Sequence, residues 1–160
     1  MADLAEIARS SGVPVRKLRY VLDHRLLPGA HDASQGRGHA RAFTPFESFA
    51  IVVAALMLEA GLRRALVRDC LAALGRGSVR RIDQIPLYRA FSHGEPARLE
   101  IGDWKFVRLT VADHPLWPAL DTGWMALGGG QPPDDEYTPL IGVVLDVGRI
   151  RRLVPRGGLA

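Results

Sequence analysis

An α+β fold, with a helical N-terminal half followed by a small β-containing C-terminal module, is what this 160-residue sequence predicts. Three observations carry that expectation. Apolar residues recur at helical spacing through the first 75 residues, between clear start and stop signals. Beyond them come two strand-like runs on either side of Gly102-Asp103 and a third, continuous in apolar residues, at 140–146. A Gly-rich break, Gly75-Arg76-Gly77-Ser78, divides the two patterns. With 48% hydrophobic and 24% charged residues the composition is that of an ordinary globular chain, so a wholly disordered or fibrous protein is excluded. A chain of this size buries roughly 68–70% of its unfolded surface, enough to need no disulfide or metal staple.

The first helix spans 3–11. Asp3 and Glu6 form a capping-box pattern, Leu4, Ile7 and Ala8 follow at helical spacing, and Gly12 stops the helix. Pro14 suits the first position of a second helix, 14–24, in which Val15, Leu18 and Leu22 line one face while Arg16, Lys17 and Arg19 project from the other. Two short helices joined by a tight turn, the second with a basic outer face, make a helix-turn-helix. Residues 27–43 are rich in turn formers and carry Arg37, His39 and Arg41, which predicts an exposed loop or hairpin. Thr44-Pro45-Phe46-Glu47 is the strongest helix start in the chain, and Phe46, Phe49, Ala50, Val53 and Met57 form the stripe expected to be buried. Gly61 closes that helix. A fourth helix, 63–74, turns Leu66, Cys70, Leu71 and Leu74 inward.

Domain boundaries follow: 1–75 helical, 76–84 a linker, 85–160 the β-containing module. Within the module, strands at 97–101 and 104–111 are joined by Gly102-Asp103 as a two-residue hairpin loop. Residues 113–139 hold Pro115, Pro118, Gly128-Gly129-Gly130 and Pro132-Pro133, which predicts a long loop with one helical turn around 117–127. The run 149–154 is either a strand or a short helix.

Charge is unevenly spread. Residues 1–81 carry 13 basic and 7 acidic side chains, a net of +6, whereas 82–160 carry 8 and 10, a net of −2. An N-terminal half that binds a polyanion and a second half with another task fit that asymmetry. Cys70 is the one cysteine, so intramolecular disulfides, paired-Cys zinc sites and all-Cys clusters are excluded. The longest apolar run, 49–58, is about half of a bilayer crossing, and Met1 is followed by Ala-Asp-Leu rather than by a charged and then apolar leader. A cytoplasmic protein with no membrane partner is expected.

The run Leu4-Ala5-Glu6-Ile7-Ala8, then Gly12-Val13-Pro14-Val15-Arg16-Lys17-Leu18-Arg19-Tyr20, Leu26-Leu27-Pro28 and Arg41-Ala42-Phe43-Thr44, with two further helices, resembles the mercury-resistance-regulator (MerR) family of bacterial transcription factors. The resemblance implies a winged helix-turn-helix whose second helix enters the major groove while the wing grips adjacent phosphates. It places Arg16 at the base- and backbone-reading position and Arg19-Tyr20 in the family's Leu-Arg-Tyr-Tyr stretch, with Val21 in place of the second Tyr. Lys17 stands where the family usually has Thr. Arg41 matches the Arg of the wing signature across a one-residue insertion near His39-Ala40, and the long C-terminal dimerisation helix is cut off by Gly75-Arg76-Gly77.

The chemistry agrees with double-stranded DNA as the partner. Arg and Lys neutralise phosphate, and an Arg fork reads guanine O6 and N7. The expected DNA-binding residues are Arg16, Lys17, Arg19, Tyr20, Arg37, His39 and Arg41, with Tyr20 either donating to a phosphate or packing beside the wing. One reading head touches too few base pairs for genomic selectivity, so a homodimer on an inverted repeat is expected. Trp104, Trp117, Trp124, Tyr88 and Tyr137 form either a small-molecule pocket or a core and protein interface. The C-terminal module is therefore expected to dimerise, to bind an effector or to hold a partner protein. Alternatives are an antitoxin-like adaptor that binds a partner protein and an excisionase-like protein that bends DNA. Cys70 reads as an inert buried thiol. Ser92-His93, Asp103, Asp113 and His114 fall in no nucleophile elbow or ligand pair, so neither catalysis, nor a metal, nor a cofactor is expected.

Overall fold

A computed structural model describes residues 1–27, 41–75, 85–93, 97–111 and 122–156. The expected wing with Arg37 and His39, the linker 76–84, and Trp117 lie outside the described residues. Among those described, the protein is a mixture of helix and sheet: six helices and a four-stranded antiparallel sheet. It divides into two compact units, Met1–Arg68 with Ile150–Ala160, and Asp69–Arg149.

In the first unit α1 spans Leu4–Ser11 and is closed at both ends by the chemistry its sequence announces. The Glu6 N–H donates to the Asp3 carboxylate at 2.8 Å, and the Asp3 N–H donates back to Glu6 at 2.9 Å. Gly12 then takes a left-handed φ of 76°, a conformation open to glycine and costly for most other residues. Helix α2 spans Val15–Asp23 and packs on α1 and on α3 (Pro45–Glu59). Pro14 is the cap of α2, at ψ 140°, rather than its first helical residue, and the buried positions are Leu18 and Val21. Leu22, placed on the inward face by its spacing, is only half-buried, because the α2 stripe is rotated by a residue toward Val21.

Helix α3 starts on a second full capping box, Thr44 with Glu47 at 3.2 and 2.8 Å. Just before it, Phe43 exchanges two backbone hydrogen bonds with Ala2, at 2.9 and 2.8 Å, an isolated bridge that local patterning does not foreshadow. The expected single stripe on α3 is too narrow: Ser48 to Ala55 and Met57 are all buried, and Phe46 is half-buried. A helix apolar on every side belongs inside. Its one buried hydroxyl, Ser48, is satisfied by the Thr44 carbonyl at 2.9 Å. The next helix, α4 (Arg64–Leu74), buries Val67, Cys70, Leu71 and Leu74, while Leu66 is half-buried. Burial, and secondarily the charge of Asp69, pushes the Cys70 thiol up to about 12.

The second unit contains α5 (Pro86–His93), β1 (Ala97–Gly102), β2 (Phe106–Val111), β3 (Met125–Ala126) and β4 (Gly142–Asp146), with the sheet in the order β3-β2-β1-β4. Leu87 and Ala90 supply the buried face of α5, a short helix for which Pro86 and the Leu87/Ala90 spacing were the available signal. Residues 122–127 hold β3 and no helical residue, so the expected helical turn does not extend to Leu127. The run expected at 149–154 as strand or helix is helix, α6 (Val147–Leu153), and the strand before it begins at Gly142 rather than at 140.

The hairpin is displaced from its expected position. Gly102 pairs with Phe106 as the last residue of β1, and the turn is Asp103, Trp104 and Lys105, with positive φ at Asp103 (49°) and Trp104 (57°). Trp104 is thus a loop-tip residue, 44% exposed, not the start of a strand. Gly102 stays in the strand for a packing reason. A Cβ there would lie 2.7 Å from the Tyr137 hydroxyl and 3.0 Å from Pro139 Cβ. The hydroxyl of Tyr137 donates to Asp103 at 2.6 Å, and the other Asp103 oxygen accepts from the Leu140 and Ile141 N–H groups, both at 3.1 Å. Phe106 and Trp124 stand edge-on to the Tyr137 ring at 4.8 and 5.3 Å, and the Arg108 guanidinium, paired with Glu100, lies over Trp124 at 4.3 Å. Trp124 and Tyr137 thus pack together beside the hairpin.

Two outcomes follow from this cluster. Gly102→Ala should destabilise the protein by about 1–3 kcal/mol in urea unfolding, as overpacking does, whereas Gly130→Ala, with only ordinary contact at 3.6 Å, should have the smaller effect. The Tyr137 hydroxyl and the two N–H groups hold the Asp103 carboxyl below its ordinary value, so its contribution is complete above pH 4 or so and fades as pH falls through the lowered value. Asp103→Asn should remove that part of the acid limb in a stability-versus-pH series.

Candidate nucleic-acid interface

The position of every exposed group on α2 follows from the two residues it buries. With Leu18 and Val21 inside, Arg16, Arg19, Tyr20 and Asp23 fall on the outer face at i, i+3, i+4 and i+7, and all four are exposed. Tyr20 is 40% exposed, and its ring leans on the His24 imidazole with centroids 4.1 Å apart. Asp23 is the single carboxylate of the helix. The outer face is cationic and planar-ringed, the chemistry that phosphates and base edges accept.

Arg16, Lys17 and Tyr20 are brought together along one side of a groove of about 520 Å³, whose opposite wall is Ala55, Leu58 and Glu59 of α3. Lys17 is half-buried and ion-paired with Glu59. Both partners remain substantially exposed, and such surface pairs contribute only about 0–1 kcal/mol. Lys17 is therefore held back from solvent by a weak tether.

Arg41 is placed at the foot of α3. Its guanidinium lies 3.6 Å from the Glu47 carboxylate and 5.0 Å above the centre of the Phe43 ring. Its stem is thereby stacked and its charge partly balanced. The Phe43 bridge to Ala2 and the α3 cap fix that position from two sides.

Two further basic groups, which local sequence does not tie to α2, reach its end. The Arg64 guanidinium is 2.8 Å from His24 Nδ1, and Arg68 donates to the His24 carbonyl at 3.4 Å. Arg25, exposed and at a positive φ of 51°, adjoins them. Arg63-Arg64 followed one turn later by Arg68 was visible as a basic helix start, but only the fold brings it against the end of α2. No group of three or more His, Cys, Asp and Glu side chains among the described residues could hold a metal, and no helix among them is long and apolar enough to cross a membrane.

Glu59→Gln should change unfolding free energy by less than about 1 kcal/mol, the ceiling for an exposed pair, with urea denaturation as the check. A larger loss would mean that the Lys17 pair is part of the scaffold. Compared with known proteins, the chain matches no protein-family model, no curated protein and no solved structure at a significant level.

Proposed function

We propose that the chain is a sequence-specific double-stranded-DNA-binding transcriptional regulator, a cytoplasmic homodimer that acts on an inverted repeat. The carrying observation is the outer face of α2, where Arg16, Arg19 and Tyr20 stand exposed opposite the buried Leu18 and Val21. A helix is about 10–12 Å across and the major groove about 12 Å wide, so such a rod fits with its first turn against base edges. The sequence resemblance to the MerR family supports the same reading, with α1, the Gly12 turn and α2 as the helix-turn-helix and the wing within 27–43.

Within that geometry Arg16, in the first turn of α2, reads a base edge, its fork suited to guanine. Arg19 and Tyr20 hold phosphate oxygens, and Lys17 joins them by exchanging Glu59 for a phosphate. Arg64 and Arg68, reaching the end of the same helix through His24, extend the positive surface along the backbone. Arg41 takes the backbone on the wing side with Arg37 and His39. Each phosphate contact releases condensed counterions, so affinity falls steeply with salt. Residues 1–75 serve as the reading head, and the C-terminal module, 85–160, makes the dimer. No catalytic step is assigned to any residue.

Selection from random duplex DNA followed by footprinting should return a palindromic consensus. Absence of affinity for any duplex at low salt would overturn the proposal. Arg16→Ala should lose on the order of 1–3 kcal/mol of specific affinity with the fold intact, whereas Arg41→Ala should weaken binding to all sequences alike and lower the salt slope by about 1. Loss confined to one sequence would remove Arg41 from the backbone-contacting set.

A further inference from the structure

β4 is the last strand of its sheet, and among the described residues nothing pairs with its outer edge. Its inner edge is set by an antiparallel register with β1 in which Ile101 faces Val143 and Leu99 faces Leu145. The Asp103 N–H donates to the Ile141 carbonyl at 2.8 Å, in step with that register. Ladder bonding alternates along a strand, so Ile141, Val143 and Leu145 direct their N–H and C=O groups toward β1. Those of Gly142, Val144 and Asp146 point outward.

Among the described residues nothing guards these outward groups. Natural edges carry a charge, a proline or a bulge to prevent pairing with another chain, but residues 140–145 contain no charged side chain and no proline. Leu140 is 94% exposed, Ile141 60% and Val144 59%. The first charge is Asp146, and its carboxylate is turned back to accept the Arg149 N–H at 2.9 Å, which occupies one of its oxygens within its own chain.

We infer that the outer edge of β4 pairs with the same edge of a second copy of this chain, antiparallel about a two-fold axis at Val144. The outward set is symmetric about that residue. Val144 meets Val144 of the second copy, and Gly142 meets Asp146 on either side, so three residue pairs exchange hydrogen bonds. No like charges face each other, and the strand's one charged residue lies opposite a glycine, which has no side chain to obstruct it. The exposed valines meet at the axis, where β-branched cross-strand pairs contribute most readily. A strand this short buries less than the roughly 1,000 Å² of a robust interface, so the free dimer is weak and tightens when both copies hold one duplex. The inference names the dimer surface of the proposed regulator; its purpose rests on that proposal, its geometry does not.

Sedimentation equilibrium of the full-length protein over a concentration series should show a monomer–dimer equilibrium. Val144→Lys and Val144→Glu each place like charges across the axis and should weaken dimerisation at least about tenfold, while an equimolar mixture of the two should dimerise again. Circular dichroism of each variant should match the wild type, since Val144 is exposed in the single chain. Should either charged variant fold poorly, Val144→Pro, which removes only an outward N–H, takes its place and should likewise give a monomer. A wild type that is monomeric throughout, variants that dimerise as well as it does, or a Lys/Glu mixture that stays monomeric would overturn the inference. Duplex binding separates the two proposals: Val144→Lys should keep low-salt affinity for a half-site. A wild type that dimerises through Val144 yet binds no duplex would remove the DNA proposal and leave this one standing.

Discussion

With Leu18 and Val21 fully buried, α2 has little freedom to rotate about its own axis, since any turn would expose one of them and bring an arginine inside. Burying an unpaired guanidinium costs several kcal/mol, while exposing a core aliphatic forfeits about 1.5–3 kcal/mol, so both penalties oppose the same motion. The outward direction of Arg16, Arg19 and Tyr20 is thus a consequence of core packing against α1 and α3. A surface used for recognition is best carried on an element whose rotation is fixed in this way, because side chains on it lose less freedom when a partner arrives.

A similar separation between packed scaffold and exposed face recurs at the other end of the chain. Asp103, Tyr137, Trp124 and the missing side chain of Gly102 tie the hairpin to the segment leading into β4. That anchoring holds Leu140 and Ile141 at the sheet margin by their backbone N–H groups while their side chains remain in solvent. The segment leading into the strand edge is thus anchored by hydrogen bonds and apolar at once.

Helix starts and stops were legible in the sequence because they are set by residues three or four apart. Asp3 with Glu6, Thr44 with Glu47, and Gly12 each act within a single turn, and each does in the structure what its spacing implies. The hairpin turn lies away from its local signal for the opposite reason. A Gly-Asp pair is a sound turn signal locally, but Tyr137 and Pro139, more than thirty residues away, require the glycine inside the strand and move the turn to Asp103–Lys105. Helix α5, eight residues with two buried apolar positions, carries little periodic signal in its sequence.

For the candidate interface the division is similar. The basic face of α2 could be read from Arg16, Lys17 and Arg19 because helical period alone puts them opposite Leu18. That Lys17 is tethered to Glu59 and that Arg64 and Arg68 reach His24 were decided by tertiary structure. These are contacts between residues forty or more apart, and no local energy term favours one such partner over another. The sequence by itself determined where helices begin and which of their faces are charged, since those depend on interactions within a turn. Which charges share a surface, and which strand is left at an edge, depended on how distant segments pack together.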